Sequence, residues 1–358
     1  MTPPPRPRLS IVAPCHNEEA CLDALYDRVS AAALAAVGSS FEIVLIDDGS
    51  RDRTWDMITA LADRDARVLG LRLSRNHGHQ LALSAGLDMC SGELILIIDA
   101  DLQDPPELLS PMMALMAEQQ ADVVYAQRSA RQGETWVKRM TAKAFYRLLS
   151  LASDGVAIPL DTGDFRLMSR RALDVLCAMP ERARFIRGMV AWVGFRQVPL
   201  RYDRDERFAG KTSYPFFKMA RLALDALTGF SSAPLRLAIY GGVLFTLLAA
   251  LLIVYSVAEW FAGRTIPGWT SLIVVVLVIG SVQMFVLGLM GEYIARLYNQ
   301  SKNRPLYVVS DIAGEAHSVP TLGIVAQTRP FPAPAPSPAS APAPAPLKNS
   351  PPKADDPA

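Results

Sequence analysis

The chain has 358 residues, enough for two or three domains, and sets 36 Lys and Arg against 35 Asp and Glu for a net charge of +1. That near-balance excludes a nucleic-acid binder relying on a dominant basic field. Hydrophobic residues make up 51% and charged residues 20%, and the mean hydropathy is +0.19. This is too charged for an all-membrane protein and too apolar for an ordinary soluble one, so the apolar residues must be concentrated somewhere.

Residues 1–8 form a flexible N-terminus with four of the 27 prolines, and no apolar leader precedes the first strand, so no signal peptide is expected. Short apolar runs then alternate with helical patterns. Strands are predicted at 9–13, 41–46, 68–73, 93–98 and 122–127. Helices are predicted at 18–37, from 52, at 81–89 and from Pro105-Pro106, where proline opens a first turn. Strands that are apolar throughout, rather than alternating, predict a mainly parallel sheet covered on both faces. Ligands of such sheets bind beyond the carboxyl ends of the strands. Polar clusters fall at those ends: 14–18, 47–50, 75–79, 99–103 and Arg128. No G-x-G-x-x-G or Walker-type loop occurs there, which argues against a dinucleotide oxidoreductase or a P-loop ATPase.

Asp99-Ala100-Asp101 follows the apolar run ELILII. In an extended segment residues i and i+2 point the same way. Two carboxylates would share one small volume, a repulsive arrangement unless a cation lies between them. Mg²⁺ or Mn²⁺ suits such hard oxygen ligands, and Gln103 adds a carbonyl oxygen. A phosphatase with a nucleophilic first Asp would place this motif nearer the chain start, with Thr or Val rather than Leu102 after the second Asp.

Further on, residues 134–150 pattern as a basic amphipathic helix. Arg139, Lys143 and Arg147 lie on one face, with Trp136, Met140, Phe145, Leu148 and Leu149 on the apolar side. A second such segment covers 215–230 and leads into two candidate membrane spans, 235–260 and 269–293. Their cores, Leu237–Ala258 and Ile266–Gly291, run 22 and 26 residues without a charge. Lys218, Arg221 and Arg236 precede the uncharged core of the first span, Arg296, Lys302 and Arg304 follow that of the second, and Arg264 stands alone between them. This asymmetry predicts both ends in the cytoplasm. Gly280, Gly288 and Gly291 offer close-packing points for a homo-oligomer. Residues 294–328 read as a cytoplasmic segment. Residues 329–358, with eleven prolines and one aromatic residue, read as a disordered tail. Cys15, Cys21, Cys90 and Cys177 form no C-x-x-C pair and read as reduced thiols.

Taken in order, SIVAPCHNEE, VLIDDGSRDRT, SRNHGHQLALSAGLDMCSGELILIIDADLQDPPEL, TGDFRLMSRRAL and ERFAGKTSYPFFKMARLALDAL resemble glycosyltransferase family 2. More narrowly they resemble its polyprenyl-phosphate glycosyltransferases, from about Leu9 to about Arg304. The resemblance implies an α/β GT-A domain (Rossmann-like, mainly parallel sheet) over 9–214, followed by the transmembrane hairpin. It implies a nucleotide-sugar donor, a divalent metal, and transfer with inversion to a polyprenyl phosphate lipid at a bacterial plasma membrane, for cell-envelope glycosylation. TGDFRL inclines the donor toward UDP-glucose, and a tetramer fits the family. By position, Pro14, Asn17, Glu18, Asp47, Asp48 and Asn76 match the donor pocket, and Asp99, Asp101 and Gln103 the metal and diphosphate site. Arg128, Arg139, Arg166 and Ser213 match acceptor-phosphate positions, Arg128 also serving the donor and Arg166 counted with the catalytic residues. Arg207 and Lys211 match a loop that closes over the donor diphosphate. Asp161 and Asp164 face the acceptor, Asp164 as an orienting residue or candidate base. His16 and His77 depart from the Tyr and Phe common in the family, and His77 and His79 are expected to have a loop role rather than to bind metal. A processive polysaccharide synthase would carry more spans and a Q-x-x-R-W motif. A non-catalytic membrane scaffold is the other alternative.

Overall fold

The computed structural model describes residues 6–128, 162–202, 233–263, 268–315 and 323–325. The helices expected at 134–150 and 215–230, the tail at 329–358, and Arg139, Asp161, Arg207, Lys211 and Ser213 lie outside the described residues.

Among the described residues nine strands form one sheet: β1 (Leu9–Cys15), β2 (Phe41–Asp47), β3 (Val68–Leu73), β4 (Leu94–Ile97), β5 (Val123–Arg128), β6 (Thr162–Ser169), β7 (Gln197–Tyr202), β8 (Val308–Ala313) and β9 (Ile324–Val325). Their order is β7-β5-β6-β4-β1-β2-β3-β8-β9. The central strands β4, β1, β2 and β3 pair in parallel. Every residue of β1 and β2 is buried, as continuous apolar runs require. The helices are α1 (Leu22–Val37), α2 (Thr54–Arg64), α3 (His79–Met89), α4 (Leu109–Gln119), α5 (Arg170–Ala178) and α6 (Ile186–Val193). Leu22, Leu25, Ile58, Leu61, Met112 and Met116 from α1, α2 and α4 belong to one core cluster. Leu83, Leu87, Leu173, Leu176, Met189 and Val190 from α3, α5 and α6 belong to another.

Two insertions make the sheet mixed. β6 runs antiparallel between β4 and β5, and β8 runs antiparallel against β3. Neither has the apolar run that marks a central strand: TGDFRLMS alternates Asp164 and Arg166 with Phe165 and Leu167. The β6 insertion positions the site. Ile97 pairs with Arg166, so two residues further along the same ladder Asp99 comes opposite Asp164.

Two long apolar helices follow, α7 (Ala233–Phe261, 29 residues) and α8 (Trp269–Ser301, 33 residues). Among the described residues the stretch Val278–Ser301 is long and apolar enough to cross a membrane, with mean hydropathy 1.5, and α7 contains a shorter apolar stretch, Ala238–Leu248. Most of the exposed large hydrophobic side chains among the described residues lie on these helices, including Leu247, Leu251, Val254, Phe285 and Leu297.

After α8 the chain returns to the sheet, and β8 covers the edge that β3 would otherwise expose. Tyr307 is fully buried, and its hydroxyl donates to Asp88 Oδ2 at 2.6 Å, near the C-terminal end of α3. Gly323 lies against that ring so closely that a Cβ would meet it at 2.3 Å. Tyr307 and β8 therefore contribute to the core of the sheet domain. Tyr307→Phe is expected to cost about 1 kcal/mol through the lost hydrogen bond, and Tyr307→Ala about 3–5 kcal/mol through the cavity. Unfolding of the detergent-solubilised protein measures both. Wild-type stability in the alanine variant would show that β8 only rests on the surface.

Candidate active site

Three strand-to-helix turns are laced together at the carboxyl end of the parallel sheet. Asn17 takes a left-handed backbone (φ 57°); its N–H donates to Ser50 Oγ and its Oδ1 accepts from the Arg51 N–H, both at 2.9 Å. The Glu18 N–H donates to Thr54 Oγ1 at 2.9 Å. Asp48 accepts the N–H groups of His77 and Gly78 at 2.7 and 2.9 Å. Gly49 (φ +64°) is required where the turns cross, because a Cβ there would lie 2.6 Å from the Asn76 nitrogen. His16 reaches over this junction: its Nδ1 lies 3.0 Å from the Asp48 carbonyl and its ring 3.3 Å from Asn76 Nδ2. Of the residues matched to the donor pocket, Pro14, Asp47 and Asp48 are buried, while Asn17 and Asn76 are exposed. Asp47 accepts the Ser50 N–H at 3.0 Å. The carboxylates of Asp47 and Asp48 thus build the turns, and the exposed rim is formed by His16, Asn17 and Asn76.

Beside this rim lies a cluster of carboxylates. Asp164, only 1% exposed, is held by groups from two other elements. Arg187, in the first turn of α6, donates from Nε to Oδ1 at 2.8 Å and from Nη2 to Oδ2 at 3.3 Å. From the start of α3, Gln80 Nε2 donates to Oδ2 at 3.0 Å and His79 Nε2 lies 3.1 Å from the same oxygen. Three of these contacts crowd Oδ2 and one reaches Oδ1. Burial alone would raise the Asp164 pKa, but the His79 bond and the Arg187 and Arg166 charges outweigh it and hold the carboxyl well below the usual range. The same pairing, with the nearby Asp99 charge, outweighs burial at His79 and raises its pKa.

Asp99 differs. It is half-buried, and its Oδ1 is shielded from solvent and accepts no hydrogen bond, with His79 Nε2 3.5 Å away. Burial, opposed by His79 and reinforced by Asp164, Asp104 and Asp101, pushes the Asp99 carboxyl up to about 6. One ligand atom from each of His79, Asp99 and Asp164 lies within 4.8 Å of the others. An orphaned carboxylate oxygen in an acidic cluster fits a hard divalent cation. This group shares Asp99 with the expected Asp99, Asp101 and Gln103 set and adds His79 to the cluster. Asp101 and Gln103 adjoin it: Asp101 Oδ1 accepts the Gln103 N–H at 3.2 Å across Leu102, whose φ is +59°.

Arg166 lies beneath this cluster. It is 3% exposed and turned back on its own strand, donating to the carbonyls of Gly163 and Asp164 at 3.0 and 3.2 Å. Burial pushes its pKa down to about 10. Its guanidinium lies 3.9 Å from the Asp164 carboxylate, which it helps to compensate. Arg128, at the end of β5, lies over Gly163, whose Cβ would stand 3.5 Å from the Arg128 Nη2. Beside it the Tyr202 hydroxyl donates to the buried Asp104 at 2.5 Å. Sequence reasoning missed Gln80, Arg187, Asp104 and Tyr202. Gln80 and Asp104 sit inside the quoted motifs, but no spacing rule marks α6 or β7.

Comparison with known proteins accords with this geometry. Residues 10–177 match the family described as Glycosyl transferase family 2, and residues 233–297 match the GtrB C-terminal hairpin. The chain is 44% identical over 308 residues to the uncharacterized glycosyltransferase YkcC of Bacillus subtilis, covering 85% of this chain and 94% of that one. It is 42% identical to the uncharacterized glycosyltransferase sll0501 of Synechocystis, covering 86% and 96%. The bactoprenol glucosyl transferase of Shigella phage SfV is 38% identical, covering 85% and 98%.

Asp164→Asn keeps the shape of the hub but leaves the buried Arg166 and its neighbour Arg187 without their counter-charge. It is expected to lower stability by about 3 kcal/mol, against about 1 kcal/mol for Gln80→Ala. Denaturant unfolding of both variants tests this order. A wild-type midpoint for Asp164→Asn would mean the hub carries no structural weight.

Proposed function

The chain belongs to glycosyl transferase family 2, and on that premise we propose that it transfers a sugar from a nucleotide sugar to a polyprenyl phosphate at the membrane surface. The bactoprenol glucosyl transferase relatives and the matched C-terminal hairpin support the lipid acceptor. The observation that carries the chemistry is the convergence of Asp99, His79 and Asp164, with one Asp99 oxygen left unpartnered, at the carboxyl end of the parallel sheet. UDP-glucose is the proposed donor. Transfer is proposed to invert the anomeric centre, at the cytoplasmic face, by a chain that crosses the membrane twice with both ends in the cytoplasm. The exposed apolar surface of α7 and α8 suits lipid contact.

A phosphomonoester has a second pKa of about 6, so the acceptor is largely dianionic at neutral pH and needs little help from a base. Bringing two polyanions together and stabilising the departing diphosphate are the harder tasks. Asp99, with Asp101 and Gln103 beside it, would hold Mg²⁺ or Mn²⁺, which would supply positive charge for the leaving diphosphate, while His79 and Asp164 bond to each other at its edge. Asp164 is proposed to act by orientation: Arg187, Gln80 and His79 already bond it, and the neighbouring charges hold its carboxyl well below the range of an effective base. Arg128 at the end of β5 is proposed to meet phosphate oxygens. His16, Asn17 and Asn76 are proposed to edge the donor pocket, with Glu18 beside them. Asp161, Arg139, Arg207, Lys211 and Ser213 are proposed to complete the acceptor side and the closing loop.

Radiolabelled UDP-glucose, GDP-mannose and a UDP-linked amino sugar, each incubated with purified protein and polyprenyl phosphate vesicles, test the proposal. A lipid-soluble labelled product is expected with UDP-glucose. EDTA should abolish it and added Mn²⁺ or Mg²⁺ restore it, and Asp101→Asn should lower it by roughly 10²–10³-fold. A growing polymer would indicate a processive synthase, and nucleotide-sugar binding without transfer would indicate a scaffold.

A further inference from the structure

The short segment from residue 180 to residue 187 touches the end of α8 on one side and the carboxylate hub on the other. Toward α8, the side chain of Gln300 donates to the Pro180 carbonyl at 3.0 Å and accepts the Arg182 N–H at 3.4 Å. The Arg182 guanidinium donates to Asn303 Oδ1 at 2.8 Å and to the carbonyl of Arg304. Gln300 lies in the last turn of the apolar stretch Val278–Ser301, so these bonds grip the end of the candidate membrane span. Toward the hub, the Ile186 N–H donates to Gln80 Oε1 at 2.8 Å, while the other end of the same amide donates to Asp164. Arg187 donates to Asp164 directly.

The middle of the segment is stiff. Arg184 is buried and donates to the carbonyls of Leu176 and Met179 at 3.2 and 2.8 Å. These are acceptors at the C-terminal end of α5, where a cation is also favoured by the helix dipole. The segment is thus pinned in its centre and bonded at both ends, a contiguous network of the kind that transmits position.

We propose that segment 180–187 registers the active site against the membrane, with Arg182 as the positioning residue that fixes how far Asp164 and its neighbours stand from the end of α8. The consequence is selective and rests on the proposed transfer to a lipid phosphate. A long-chain acceptor is anchored in the bilayer, so its phosphate approaches at a set height, and a displaced site must meet it out of register. A short, water-soluble acceptor approaches freely and is indifferent to that height.

The test compares wild type, Arg182→Ala, Asn303→Ala and Arg182→Lys in proteoliposomes, with a long-chain polyprenyl phosphate in the bilayer and a ten-carbon polyprenyl phosphate in solution. For Arg182→Ala, kcat/KM on the bilayer acceptor should fall roughly tenfold, the scale expected of small misplacements. The value for the soluble acceptor and the KM for the nucleotide sugar should stay within about twofold. Asn303→Ala should move in the same direction, and Arg182→Lys should recover part of the loss. An equal fall on both acceptors, or no fall on either, would overturn the proposal. Hydrogen–deuterium exchange over residues 180–187 in the same vesicles supplies a readout that needs no turnover. It should rise in Arg182→Ala, and an unchanged rate would refute the link even if the wild type made no lipid product. Absence of product with the wild type alone would instead count against the transfer reaction.

Discussion

Four aspartates, Asp99, Asp101, Asp104 and Asp164, gather at one end of the sheet, and their mutual repulsion is the constraint around which the surrounding structure is arranged. Each buried carboxylate needs a counter-charge, a hydrogen-bond donor or a proton. Asp164 receives Arg187, His79 and Gln80, with Arg166 alongside. Asp104 receives the Tyr202 hydroxyl. Asp99 Oδ1 receives none of these donors, and burial beside the other carboxylates raises its pKa to about 6. The fold therefore neutralises one carboxylate thoroughly and leaves its neighbour available. That division suits a site in which Asp164 fixes the geometry and Asp99 meets a metal that travels with the donor diphosphate.

The donors come from elements far apart in the chain, which ties the site to the whole fold. His79 and Gln80 begin α3, and Asp88 near the other end of that helix is held by Tyr307, a residue beyond the two long apolar helices. Arg187 opens α6 just after the segment that grips the end of α8. The chain leaves the sheet domain, forms α7 and α8, and returns to pair β8 with β3. The apolar helices are thereby bonded into the catalytic domain at both the 180–187 segment and the sheet edge.

Much of this was legible in the sequence, for identifiable reasons. The parallel strands were, because VLGLRL and FEIVLI are too apolar for anything but a sheet buried on both faces. So were the two long helices, because uncharged stretches of that length have few other uses. Asp99 stood out as the end of such a strand. What escaped was everything set by tertiary insertion. TGDFRLMS was not among the predicted strands, and only the antiparallel pairing of β6 with β4 brings Asp164 toward Asp99 and turns Arg166 inward. His79 looked like part of a glycine-containing turn, yet its ring reaches both carboxylates. Asp47 and Asp48 matched a donor pocket by position, and the hydrogen bonds that hold the turns through their carboxylates could be seen only in the fold. Periodicity carries no information about a strand that arrives from 65 residues downstream (Ile97 to Thr162) and runs in the opposite direction.

The central claim is that Asp99 is held open for a divalent cation while Asp164 is committed to the scaffold. Calorimetric titration of Mn²⁺ into the purified protein, with UDP present and no acceptor, addresses it directly. The account predicts binding near one ion per chain, weakened at least roughly tenfold by Asp99→Asn, in a variant that unfolds at the wild-type midpoint or above. Mn²⁺ binding of equal strength in wild type and Asp99→Asn would contradict it.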